Sequence, residues 1–138
     1  MSSLILRTAT RFVFPLLLLF SVFLLVRGHN EPGGGFAGGL VASAAFSLVV
    51  IAYGTDVARK SLRARPVSLI GAGLLVAAGS GLWALLRGEP FLTGQWTTIE
   101  RFPGGPADLG TPLLFDIGVL LTVLGVVLNI VFSFAEEE

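Results

Sequence analysis

Residues 113–135 read LLFDIGVLLTVLGVVLNIVFSFA, an apolar run interrupted only by Asp116, Thr122, Asn129 and Ser133. A helix needs ~20 mainly apolar residues to cross the hydrocarbon core of a bilayer, and this run supplies them. It lacks the strict alternation of a membrane-barrel strand. Inside lipid every backbone N–H and C=O must be paired, which leaves a helix as the conformation of choice.

Working toward the amino terminus, residues 67–86 and 36–54 are two further apolar runs of similar length. Residues 12–26 form another, bracketed by Arg11 and Arg27, that looks short for a span. It lengthens once Leu4, Ile5 and Leu6 are included, because Arg7 and Arg11 lie one helical turn apart and both can snorkel to the interface. A cleaved signal peptide is the competing reading, but Leu25-Val26-Arg27-Gly28-His29 holds no small-x-small cleavage site. Pro15 sits inside this helix, lacks an N–H and crowds the carbonyl of Arg11, so a kink is expected there. The expected fold is an all-α integral membrane protein, a single domain over residues 1–138. Its four transmembrane helices are expected at about 4–26, 36–54, 67–86 and 113–135.

Composition points the same way. Charged residues make up 13% of the chain, against about 25% in soluble domains. The mean hydropathy is +0.86. No polar stretch is long enough to fold as a second, soluble domain. The formal net charge of zero gives no electrostatic case for nucleic acid. There is no cysteine and one histidine, His29, which excludes disulfides, thiol catalysis and thiolate zinc sites. No nucleophile–base pair or ligand cluster stands out, so neither an enzyme nor a cofactor or metal site is expected.

The connections set orientation. Arg7, Arg11, Arg59, Lys60, Arg63 and Arg65 fall on one side of the four spans, and Arg27, Arg87 and Arg101 on the other. The excess of basic residues favours both termini in the cytoplasm. The two remaining connections, around residues 27–35 and 87–112, are polar without being positive. Trp83 and Trp96 suit the membrane interface.

Asp116 is the only acid inside a predicted span. A carboxylate at membrane depth usually faces a protein interior or a water path, so a proton or cation relay is one reading. The other is structural. Asp116 lies about one turn beyond Pro112, near a helix start that Thr111 can cap, and there it gains from the helix dipole. Asn129 reads as interhelical glue or as a residue near the far interface. The stretch His29-Asn30-Glu31-Pro32-Gly33-Gly34-Gly35 is either a tight turn or a docking loop near an ion path. It is no phosphate fingerprint, because no strand precedes it and no lysine follows. Gly34 with Gly38, and Gly35 with Gly39, make small-xxx-small pairs that open the second helix to close packing. Gly71, Gly73, Ala77, Ala78, Gly79 and Gly81 do the same for the third. So many small positions exceed what four helices need among themselves and favour a subunit over a monomer.

Two segments carry a family resemblance. Residues 28–40, GHNEPGGGFAGGL, and residues 109–119, LGTPLLFDIGV, followed by Val123-Leu124-Gly125, resemble the two signatures of the B subunit of Mrp-type (Mnh or Sha) sodium/proton antiporters. The likeness spans the whole chain with both motifs in order. It implies a four-helix accessory subunit in a hetero-oligomeric complex of several membrane proteins, two of them large and similar to the proton-pumping subunits of respiratory complex I. The complex would exchange Na+ for H+ across a prokaryotic cell membrane. Carried over by motif, His29, Asn30, Glu31, Pro32, Gly33, Gly34, Gly35, Phe36 and Asp116 become candidate ion-path or interface positions. Glu31 and Asp116 are the two that could attract a cation. A member of a redox-driven membrane complex would share these motifs. A self-sufficient small transporter is disfavoured, because no lysine, glutamate or histidine stands mid-membrane to carry a proton across.

Overall fold

The computed structural model describes residues 4–27, 34–86, 96–99 and 107–137. Helix α1 spans Leu4–Arg27, α2 Gly35–Tyr53, α3 Thr55–Leu62, α4 Pro66–Leu86 and α5 Thr111–Glu136. Four helical stretches are long and apolar enough to cross a membrane, in the order expected from hydropathy. α1 runs through Pro15 as one continuous helix.

The connection between α4 and α5, expected to be a loop, contains a short antiparallel ladder. Trp96–Ile99 (β1) and Ala107–Gly110 (β2) pair antiparallel, with Trp96 opposite Gly110 and Ile99 opposite Ala107. The basic connection between the second and third spans is likewise not a loop. After Gly54, at φ 97° and ψ 168°, the chain turns into the short helix α3. Only glycine adopts that backbone region readily. Ala58 on α3 is fully buried while Lys60 and Ser61 are exposed, the pattern of a helix lying on the end of a bundle. Arg63, left-handed at φ 63°, closes α3, and Pro66 opens α4, a position where its missing N–H costs nothing.

In space the long helices stand in the row α1, α2, α5, α4, with α2 and α5 inside. α2 runs antiparallel to α1 and parallel to α5, and α4 runs antiparallel to α5. Ala42, Phe46 and Val49 of α2 meet Leu124, Leu128 and Phe132 of α5, with Ala58 closing one end. Phe14 of α1 meets Phe46 edge-on, with ring centroids 5.1 Å apart. The outward face of α1 is bare hydrocarbon: Phe12, Leu16 and Leu19 are each more than three-fifths exposed. A surface of that size and apolarity is stable in lipid and not in water.

Candidate functional site

α2 is preceded by Gly34, whose φ of 95° and ψ of −164° are those of a residue without a side chain. Its N–H donates to the Leu24 carbonyl at 2.8 Å, which ties the start of α2 to the last turns of α1. A methyl placed on Gly34 would lie 3.5 Å from Oδ2 of Asp116. A methyl placed on Gly35 would collide with the backbone carbonyl of Asp116 and stand 3.0 Å from Cβ of Val119. The glycines of the first sequence motif and the acid of the second are therefore in direct contact, through glycine backbone.

The seam continues along α2. A Cβ on Gly38 would meet the Ser21 carbonyl at 2.9 Å, and one on Gly39 would meet Val123 at 2.8 Å. Ser21, itself buried, donates its hydroxyl to the Gly38 carbonyl at 2.8 Å. Both small-xxx-small rows are thus used, one toward α1 and one toward α5. Where no hydrophobic force separates helix from lipid, such close backbone approach is a main source of helix association.

Asp116 lies in the second turn of α5 and is half-buried. Its carboxylate sits at the amino-terminal end of α2, where the helix dipole favours negative charge. Chemically, this arrangement can hold a carboxylate beside backbone N–H groups near one membrane face and present it to a cation or proton. Among the described residues no group of three His, Asp or Glu side chains is placed to hold a metal ion.

The remaining expected positions divide. His29, Asn30, Glu31, Pro32 and Gly33 lie outside the described residues. Phe36 is exposed, turned away from the seam. On α4, Gly73 is buried against Gly118 and Thr122 of α5, whereas Gly71 has open space where a side chain would go, as does Gly79. Asn129 is exposed, so it does not join helices within this chain. The sequence reading passed over Gly118 and Gly125 as packing residues. A Cβ on Gly118 would meet the Gly73 carbonyl at 2.6 Å, and one on Gly125 the Pro66 carbonyl at the same distance. Their spacing of two helical turns on one face of α5 was the available signal.

At the other end of the bundle, Arg59 of α3 makes a two-pronged ion pair with Glu136 of α5, at 2.7 and 2.9 Å, and lies 4.6 Å over the Phe132 ring. Tyr53 donates its hydroxyl to the Arg7 carbonyl at 3.0 Å, and the Arg7 guanidinium lies 5.6 Å over the Tyr53 ring.

Comparison with known proteins agrees with this picture. A family described as "Domain related to MnhB subunit of Na+/H+ antiporter" matches residues 5–129. The B subunit of the Na(+)/H(+) antiporter of Bacillus subtilis is 40% identical over 137 residues, covering 99% of this chain and 96% of that protein. The A/B subunit of a probable K(+)/H(+) antiporter of Rhizobium meliloti is 36% identical over 93% of this chain, which spans only 13% of that protein. The structure of the Mrp complex from Dietzia sp. DQ12-45-1b contains a chain that superposes with a TM-score of 0.81 at 34% identity, over 95% of this chain and 14% of that one.

Proposed function

The chain belongs to the family of MnhB-related antiporter subunits, and we propose that it works as one subunit of a multi-subunit monovalent cation/proton antiporter in a prokaryotic cell membrane. The near-complete match to an antiporter B subunit carries this reading. The redox-complex alternative is not favoured, since these relatives are antiporter subunits. The chain does no chemistry of its own. It contributes a rigid four-helix body and, at the junction of α2 and α5, the Asp116 carboxylate.

In this reading Gly34 and Gly35 hold the start of α2 against Asp116. Glu31 and Asp116 attract Na+ or a related cation near one membrane face, while the large subunits move the protons. The Rhizobium relative, which holds the equivalent segment inside a much longer polypeptide, supports a place beside a large subunit. The basic end, with Arg59, Lys60, Arg63 and Arg65, faces the cytoplasm together with both termini, leaving Asp116 near the outer face.

A mild-detergent pull-down of the tagged chain from its native membrane, read by mass spectrometry, tests the assignment. Large antiporter-like subunits should co-purify. Recovery of hydrogenase or dehydrogenase subunits would move the chain to a redox complex, and recovery of the chain alone as a discrete oligomer would make it a self-sufficient transporter.

A further inference from the structure

At the basic end, α1, the close of α2 and α3 leave an open groove of about 190 Å³, lined chiefly by Arg11, Phe14, Val49, Tyr53, Val57 and Ser61. Its chemistry changes with depth. Val49 is buried and Phe14 is held edge-on against Phe46, so the floor is hydrocarbon and fixed. Arg11 and Ser61 are exposed at the rim. Tyr53 is held by its hydrogen bond to the Arg7 carbonyl. Among the described residues no acidic side chain lines the groove.

The surrounding charges can be placed one by one. Asp56 and Lys60 stand four residues apart on the flank of α3, where their charges offset. Arg59 is directed to Glu136 and α5. Arg7 lies over Tyr53. Arg11 is thus the charge that faces the groove. It also sits one turn before Phe14 on α1, so charge and apolar floor are stacked along the helix axis.

We propose that this groove seats an anionic glycerophospholipid of the adjacent leaflet. Arg11 pairs with the phosphate, the Ser61 hydroxyl donates to it, and the first part of one acyl chain lies along Phe14, Val49 and Val57. A soluble anion has no use for the apolar floor, and a partner's transmembrane helix would have to bring an acid to meet the arginine, a residue type rare in such helices. A lipid matches both halves, and α3, short and amphipathic, forms one wall.

Native mass spectrometry of the full chain, titrated with phosphatidylglycerol and with phosphatidylcholine of the same acyl chains, tests this directly. Phosphatidylglycerol should be retained at lower concentration than phosphatidylcholine. Arg11→Gln should raise the phosphatidylglycerol concentration for half-occupancy about tenfold, the scale of one lost charge-assisted hydrogen bond, and that of phosphatidylcholine by less, since its choline already offsets the phosphate charge that Arg11 meets. Arg11→Lys should recover most of the difference, and Val57→Trp, which fills the groove, should weaken both lipids. Circular dichroism shows whether each variant is folded. Equal retention of the two lipids, or unchanged phosphatidylglycerol retention in Arg11→Gln, would overturn the proposal. So would loss of co-purifying subunits in Arg11→Gln with lipid retention intact, since the groove would then hold a protein partner.

Discussion

At the basic end of the bundle the helices are joined by side chains, and at the Asp116 end they meet through bare backbone. Arg59 reaches Glu136 and Phe132, and Tyr53 reaches Arg7, across gaps that long flexible groups bridge. Around Asp116, by contrast, Gly35 leaves no room for a side chain between α2 and α5. The first kind of contact tolerates change, because an exposed ion pair contributes little and rearranges easily. The second does not, because backbone has nowhere to go. A junction that must hold a carboxylate in a fixed place is better built the second way.

This contrast breaks most readily at Gly35. Gly35→Val pushes a side chain into the Asp116 carbonyl and should cost about 3 kcal/mol, seen as a large drop in melting temperature in mild detergent and in recovered complex. A tolerant Gly35→Val would mean that α2 and α5 are not in backbone contact. Gly34→Ala keeps an ordinary contact with Asp116 but forces alanine to φ 95°, which should cost about 2 kcal/mol. At the other end Arg59→Gln should lower the melting temperature only slightly, and by less still as salt is added, since the pair is two-fifths exposed on each side. Smallest of all is Gly71→Ala on the outward face of α4, where nothing lies within 4 Å. The isolated chain should be unchanged to within about 0.5 kcal/mol. A loss of complex in that variant would show instead that a partner helix covers this face.

The four spans were legible because lipid leaves the backbone one way to satisfy itself, and length with hydropathy suffices to find it. α3 is hidden in the sequence because its charges mask a short apolar stripe. The spacing of Val57, Ala58 and Leu62 among those charges was the amphipathic signal. The β1–β2 ladder is built from two four-residue pieces separated in sequence, too short for alternation to stand out. For the site, the glycine rows showed that helices come close but not which helices. Gly71 and Gly73 look alike in sequence, yet two residues on a helix point to nearly opposite sides, and only Gly73 meets α5. That Gly35 touches the residue singled out as the one intramembrane acid is a fact of tertiary packing, and no local pattern encodes it.

The most direct test of the account is paired measurement on Asp116→Asn: cation/proton antiport in membrane vesicles, and the amount of assembled complex in the same vesicles. Asparagine keeps the shape beside Gly34 and removes the charge. Antiport per complex should fall at least about tenfold, as for loss of a charged group at a functional site, with complex yield nearly unchanged. If antiport and yield fall together, or if antiport per complex is unaltered, Asp116 is a packing residue and the α2–α5 junction takes no part in ion movement.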